Sequence, residues 1–136
     1  MENEIKDRFK SPFGWWVATQ IERYEYENED STNPKRRCRV WTNTIILKAN
    51  NRDEAYDKAV KYGNLGKADS YDYVDSKTGR KARIVFEGLS SLLPIYDEID
   101  EDGTEIVFDD DFVTVGRLKS WVRKKEELEV FEDLKI

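Results

Sequence analysis

Alternating apolar and polar positions predict two long β-strands near the start of the chain. The first predicted strand runs from Trp15 to Glu27. One face carries Trp15, Val17, Thr19 and Ile21, and the other carries Trp16, Ala18, Gln20 and Tyr24. The segment from Arg37 to Ala49 is rich in Val, Ile, Thr and Trp, which are typical of strands. Turn-forming residues connect the two segments, so we predict an antiparallel hairpin.

A helix is predicted after the second strand. Asn51 is a suitable N-cap, and Glu54 follows three residues later, as in a capping box. Ala55 and Ala59 place small side chains on one stripe of this helix, which suits close packing on a sheet. Gly63 is predicted to be the C′ residue that ends the helix.

Short extended segments follow, grouped around two turns. The predicted strands Tyr71 to Val74 and Ala82 to Phe86 are separated by the turn Ser76-Lys77-Thr78-Gly79. The segments Leu92 to Ile99 and Glu105 to Phe108 flank Asp102-Gly103, a dipeptide typical of hairpin turns. Pro94 is expected at a sheet edge or before the ladder begins, because proline lacks the N–H that a ladder requires.

Near the end of the chain, the apolar residues are spaced as in a helix. Leu118, Trp121, Val122, Leu128 and Phe131 recur at helical intervals, with Lys and Arg between them. We expect Trp41 and Trp121 to be core residues.

Together these elements predict an α+β fold. It is a single antiparallel β-sheet in the order β-β-α-β-β-β, with one packed helix and a C-terminal helical segment. The length of 136 residues suits one domain. We divide it into a polar lead-in at 1–14, a core at 15–109 and a C-terminal helical extension at 112–136.

Several short segments, in a fixed order, carry a family resemblance. They are Trp15-Trp16-Val17, Asp53-Glu54-Ala55-Tyr56-Asp57-Lys58-Ala59-Val60, Thr78-Gly79, Phe86-Glu87-Gly88, Ile95-Tyr96-Asp97-Glu98 and Glu101-Asp102-Gly103-Thr104-Glu105. Over about Trp15 to Asp109 the chain resembles the bacterial family named domain of unknown function 4288. The residues from Phe112 onward depart from the family pattern. The resemblance implies a small α+β fold and transfers no activity.

Composition excludes several kinds of chemistry. The chain has no His, which rules out Ser-His-Asp and Cys-His catalysis and an imidazole pH switch within it. Cys38 is its one cysteine, so it has no internal disulfide, and we expect it to be a small packing residue on a strand. The N-terminus has no apolar core of a signal peptide, and no apolar run could span a bilayer. These features predict a cytoplasmic protein that contacts no membrane.

The densest charge pattern is acidic. Nine carboxylates occur in the fifteen residues from Asp97 to Asp111, with no Lys or Arg among them: Asp97, Glu98, Asp100, Glu101, Asp102, Glu105, Asp109, Asp110 and Asp111. Such a run attracts a basic partner and speeds its arrival. Trp16 is a candidate exposed aromatic anchor for the same partner. The alternative is a solvated turn without a partner.

Part of the acidic run is spaced like a calcium-binding loop. Glu98, Asp100, Asp102 and Asp109 occupy ligand positions of an EF-hand register around Gly103. The pattern departs from an EF-hand at its first and last ligands, and its flanks alternate like strands. We therefore expect no metal site and keep these four residues as weak candidates.

Two basic clusters support an alternative hypothesis of nucleic-acid binding. They are Lys35, Arg36, Arg37 and Arg39, and Lys77, Arg80, Lys81 and Arg83. With Trp41, Tyr71 and Tyr73 nearby, they could hold a phosphate backbone and stack bases. The net charge of −6 weakens sequence-independent binding to phosphates, so this hypothesis ranks below protein binding.

From sequence, we expect a non-catalytic protein-binding module without a cofactor. We expect an inhibitor or immunity-type protein that neutralises a basic partner, such as a toxin nuclease, through its acidic surface. The alternatives are a nucleic-acid-binding regulator and a metal-dependent carboxylate enzyme.

Overall fold

A computed structural model describes residues 5–30, 32–107 and 112–134. Its centre is a four-stranded antiparallel sheet in the order β2-β1-β4-β3. The strands are β1 (Trp15–Tyr26), β2 (Val40–Lys48), β3 (Tyr73–Val74) and β4 (Lys81–Pro94). The helices are α1 (Arg52–Asn64) and α2 (Val115–Trp121), with short 3₁₀ turns at Asp7–Phe9, Lys125–Glu127 and Glu129–Leu134. An α+β fold with one antiparallel sheet is thus confirmed.

The predicted hairpin of β1 and β2 is present, and the alternation along β1 sets its two faces. Trp16, Ala18 and Gln20 are buried on the face that α1 covers. Trp15 lies on the opposite face and is partly exposed. The strand alternation read from the sequence therefore matches the faces observed.

Helix α1 begins where the sequence predicts. The side chain of Asn51 accepts a hydrogen bond from the Glu54 backbone N–H at 2.8 Å, which caps the helix. Ala55 and Ala59 are fully buried against the sheet. The buried Gln20 amide donates to the Ala59 carbonyl at 3.0 Å, so a hydrogen bond ties the helix to the central strand.

Gly63 does not end the helix, contrary to the prediction. The helix continues to Asn64, and Gly63 is buried within its last turn. A Cβ at Gly63 would lie 2.4 Å from Cε1 of Phe86. The glycine is therefore explained by the close approach of an aromatic ring on β4, and not by a left-handed backbone.

The predicted hairpin at Asp102-Gly103 is wrong, so the strand order differs from the predicted one. β4 runs unbroken to Pro94 and pairs with β1 along most of its length, with irregularities near Gly88 and Ser90. The ladder ends where the Ile95 N–H donates to the carbonyl of Trp15, the first residue of β1. Residues 95–107 form no strand because β1 offers no further partner.

The C-terminal prediction is confirmed only in that a helix is present. Thr114 caps α2 by accepting from the Arg117 N–H at 3.2 Å. Trp121, expected in the core, is 51% exposed. Trp41 is half-buried on β2, where its indole N–H donates to Glu22 at 2.9 Å. Cys38 is exposed before β2 begins and is not a packing residue on a strand.

Candidate functional site

The described part of the acidic run forms an irregular loop at residues 97–107, which we call the acidic loop. It leaves the sheet just after β4, and all its carboxylate side chains are exposed: Asp97, Glu98, Asp100, Glu101, Asp102 and Glu105. The other predicted contact residues, Asp109, Asp110 and Asp111, lie outside the described residues. The structure thus brings six of the nine carboxylates onto one exposed segment.

Hydrogen bonds within the acidic loop set its shape. Oδ1 of Asp100 accepts from the Asp102 N–H at 2.8 Å, and Oγ1 of Thr104 accepts from the Asp100 N–H at 2.7 Å. Within the part of the chain that the structure describes, the carboxylates of Glu98, Glu101 and Glu105 make no hydrogen bond or ion pair. These three charges therefore face solvent.

A small apolar cleft lies beside the acidic loop. Residues 93–97 face residues 105–107 across about 180 Å³. Tyr96 and Ile106 are 41% and 38% exposed at this cleft. The Tyr96 hydroxyl donates to the Arg8 carbonyl, and the Ser11 hydroxyl donates to the Ile95 carbonyl at 2.7 Å, so the lead-in anchors this end of the sheet.

The calcium-loop candidates do not form a cluster of metal ligands. Among residues 5–30, 32–107 and 112–134, no three acidic or sulfur side chains lie close enough to hold an ion. Asp100 instead accepts a hydrogen bond within its own turn. Glu98 and Asp102 are described, but Asp109, the last of the four candidate ligands, lies outside the described residues. A strand, β4, and not a helix precedes the loop, so the entering helix of an EF-hand is absent from the described residues.

Trp16 is not a surface anchor, which corrects its assignment as a protein-binding residue. Its side chain is 2% exposed, and its indole N–H donates to the Ala49 carbonyl at 3.1 Å. The neighbouring Trp15 is the partly exposed member of the pair, and the Lys48 ammonium lies 5.7 Å from its ring centroid. The prediction that the two tryptophans point to opposite faces of β1 is correct, but the exposed tryptophan is Trp15 and not Trp16.

Two arginines of the basic clusters form ion pairs, one within the loop between β1 and β2 and one between β4 and β1. Arg36 pairs with Glu29 at 2.6 Å, and Arg83 pairs with Glu25 at 2.7 Å. Burial alone would raise the pKa of Glu25, but the hydrogen bonds that it accepts from Tyr71 and Arg83 lower it below 4.5. Arg83 therefore joins two strands of the sheet, Arg36 holds the loop between β1 and β2, and both cations are used within the protein.

Arg39 and Lys77, one from each basic cluster, meet at a groove that we call the tyrosine groove. It encloses about 350 Å³ at the end of the sheet where Tyr26 of β1 and Tyr73 of β3 flank β4. Its lining residues are Tyr24, Tyr26, Arg39, Tyr73, Val74, Asp75, Ser76, Lys77 and Ala82. Sequence reasoning missed Tyr24 and Tyr26 as site residues, although the alternation along β1 places them on one face.

Aromatic contacts hold the rings of this groove in place. Tyr24 packs edge-on to Trp41, with ring centroids 5.4 Å apart, and is 6.4 Å from Tyr73. Tyr26 is held by the Arg80 guanidinium 3.9 Å from its ring and by a 3.0 Å hydrogen bond to Asp75. This arrangement fixes the walls and leaves Tyr73 51% exposed.

The carboxylate of Asp75 accepts hydrogen bonds from the turn that follows it and from Tyr26. Its pKa is lowered first by the backbone N–H of Lys77 and then by the hydroxyl of Tyr26. The same hydrogen bond raises the pKa of Tyr26. The carboxylate of Asp75 is therefore an acceptor for the β3–β4 turn and for the groove wall.

The acidic loop and the tyrosine groove lie at opposite ends of β1. Trp16 pairs with Pro94 beside the loop, and Tyr26 pairs with Ala82 at the groove. Between these positions the strand advances about 30 Å. The two surfaces can therefore be tested independently.

Comparisons with known proteins give one family. No curated protein and no solved structure matches the chain. None of the described helices is both long and apolar enough to cross a membrane. The model of the family described as Domain of unknown function (DUF4288) matches residues 15–108, close to the span of the resemblance read from the sequence. Since the match covers more than half of the chain, the protein belongs to the DUF4288 family.

Proposed function

We propose that this protein is a non-catalytic protein-binding module of the inhibitor or immunity type, acting in the cytoplasm. Its partner carries a basic surface, as the active cleft of a toxin nuclease does. The acidic loop is the proposed contact, together with Asp109, Asp110 and Asp111, which follow it in the sequence. The carboxylates would occupy positions that substrate phosphates take in such a cleft.

The observation that carries the proposal is the mixture of charge and apolar surface at the acidic loop. Exposed Tyr96, Ile99, Ile106 and Val107 lie among the exposed carboxylates, next to the cleft of about 180 Å³. Protein interfaces combine an apolar centre with a polar rim. A solvated turn has no need of four exposed apolar side chains.

Each part of this surface has a physical role in the proposal. The carboxylates of Glu98, Glu101 and Glu105, which have no partner among the described residues, steer a basic partner towards the loop, which raises the association rate. The cleft between residues 93–97 and 105–107 then takes an apolar side chain of the partner, which slows dissociation. Binding alone would neutralise the partner, so no catalytic group is needed.

A metal-dependent carboxylate enzyme remains the weaker alternative. It needs several oxygen ligands converging on one ion, and the described candidates Glu98, Asp100 and Asp102 are not part of any group of three such side chains among the described residues. Calorimetry with Ca²⁺ or Mg²⁺ tests it directly. Binding that Asp100→Ala abolishes would favour this alternative.

The experiment measures binding kinetics to the protein encoded by the neighbouring gene. In the test variant, Glu98→Gln, Glu101→Gln and Glu105→Gln remove three charges that make no contact within the described chain. We expect the association rate at low salt to fall about ten-fold, with little change in the dissociation rate. High salt should remove the difference between the variant and the wild type.

A matched control separates position from net charge. Asp57→Asn, Glu126→Gln and Glu127→Gln also remove three exposed carboxylates, but from outside the acidic loop. We expect this control to retain most of the wild-type association rate. Equal losses in both variants, or no loss in the test variant, would contradict a role for the loop.

A further inference from the structure

We infer that the tyrosine groove is a second binding site, which takes a nucleobase and the adjoining phosphates of a single-stranded nucleic acid. This site is separate from the acidic loop and from the function proposed above. The juxtaposition that supports it is Tyr73, exposed on one wall, with Arg39 and Lys77 on the same groove.

The sheet register creates the groove. Ala82 on β4 pairs with Tyr26 of β1 on one side and with Tyr73 of β3 on the other. Ala82 is buried and small, so the larger rings of its neighbours stand above it as two walls. The enclosed volume of about 350 Å³ lies within the range of small-ligand pockets, roughly 300 to 1,000 Å³.

The aromatic groups suit a planar ring. Tyr24 is fixed by its edge-on contact with Trp41, and Tyr26 by Arg80 and Asp75. Held rings lose little conformational entropy when they bind a ligand. The exposed ring of Tyr73 provides the stacking surface, because every base has a π-face that an aromatic side chain can cover.

The cations suit phosphate. The Tyr24 N–H donates to the Arg39 carbonyl at 3.0 Å, which holds Arg39 beside the groove, and the Arg39 guanidinium lies 5.6 Å from the Tyr24 ring centroid. Lys77 reaches the groove from the β3–β4 turn. Three more exposed cations lie within four residues of Arg39 or Lys77 in the sequence: Lys35, Arg37 and Lys81.

The net charge of −6 does not exclude this site, because the charges are segregated. The six exposed carboxylates of the acidic loop lie about 30 Å along β1 from the groove. That separation exceeds the Debye length of about 8 Å at physiological salt, so the loop is screened from the groove. Asp75 lines the groove, but it already accepts from two backbone N–H groups and from Tyr26.

A single strand fits better than a duplex or a peptide. Stacking on Tyr73 requires an unpaired base, which a duplex does not expose. A proline-rich peptide also binds aromatic grooves, but it makes no use of Arg39 and Lys77. The aromatic and cationic groups together therefore favour single-stranded nucleic acid.

The test is fluorescence anisotropy with a short labelled oligothymidylate and the matching oligouridylate, both at low salt. We expect binding of at least one of them, with a salt slope of about −1.4 for two phosphate contacts. Tyr73→Ala should weaken binding about ten-fold or more, and Tyr73→Phe should retain it because stacking needs only the ring. Arg39→Ala should weaken binding and reduce the slope by about 0.7.

Two matched controls lie on α1. Tyr56→Ala removes a tyrosine with 55% exposure, close to the 51% of Tyr73, and Lys61→Ala removes an exposed cation. Both should bind like the wild type, and circular dichroism confirms that every variant is folded. The inference is overturned by an absence of binding to either oligonucleotide, or by equal binding of Tyr73→Ala, Arg39→Ala and the controls. Binding of a proline-rich peptide in the absence of oligonucleotide binding also overturns it.

Discussion

Gly63 lies directly against the ring of Phe86, so closely that a Cβ at this position would be 2.4 to 2.6 Å from three of its ring carbons. This contact joins the last turn of α1 to β4. Real Cβ atoms essentially never approach a carbon so closely, and the absence of a side chain therefore sets how near the helix lies to the sheet.

We expect Gly63→Ala to destabilise the fold by about 1–3 kcal/mol, because the added methyl group must displace the ring or the helix. Gly116→Ala on α2 is the matched control, since its Cβ would meet nothing within 4 Å. Alanine has the higher helix propensity, so this control should be neutral or slightly stabilising. Urea unfolding measures both. Equal free energies of unfolding for the Gly63→Ala variant and the wild type would contradict the contact.

A second prediction concerns Gln20, which is 1% exposed and donates to the Ala59 carbonyl. Gln20→Glu replaces the donor with a buried carboxyl, whose pKa burial would raise above its value in the unfolded chain. The variant should therefore become less stable, relative to wild type, as the pH rises above that unfolded-state pKa. Gln20→Met is the control and should show no such pH dependence. Urea unfolding at acidic and neutral pH separates the two, and a constant deficit for Gln20→Glu would contradict the burial.

A third prediction follows from the lowered pKa of Glu25. A lowered folded-state pKa contributes stability above the unfolded value of 4.5, and this contribution is lost as the pH falls through the folded value. Glu25→Gln should therefore lose less stability than the wild type on acidification from neutral pH. Tyr71→Phe removes a hydrogen bond to Glu25 and should raise the carboxyl pKa, which a ¹³C NMR titration measures. A Glu25 midpoint at or above 4.5 in the wild type would refute this account.

The sequence was most informative where local chemistry decides the structure. Alternation predicted β1 to within one residue at its end, and Asn51 correctly marked the start of α1. The β3–β4 turn was also predicted, with Gly79 at a φ of +72°. In each case the residues that set the structure are neighbours in the chain.

The Asp102-Gly103 hairpin failed for reasons beyond the local sequence. A type I′ turn needs positive φ at both central residues, but Asp102 has a negative φ and Gly103 adopts +150°. The apolar alternation after Pro94 had no strand to pair with, because β1 begins at Trp15. The absence of a partner strand is a property of the sheet and cannot be read from these residues.

The candidate sites divide in the same way. The charge of the acidic loop is visible in the sequence, but the apolar cleft beside it depends on how residues 105–107 fold back on residues 93–97. The tyrosine groove likewise depends on the register that places Tyr73 and Tyr26 on either side of Ala82. The sequence therefore shows which kinds of side chain are available for binding, but not which of them the fold brings together at one site.

The central claim is that the acidic loop binds a basic protein partner. Its most direct test is NMR mapping of the backbone amides in the complex with the protein encoded by the neighbouring gene. We predict that amide signals of residues 93–107 shift or broaden on binding, while those of Tyr24 and Tyr73 in the tyrosine groove stay unchanged. A complex that leaves residues 93–107 unperturbed, or no complex at all, would contradict the claim.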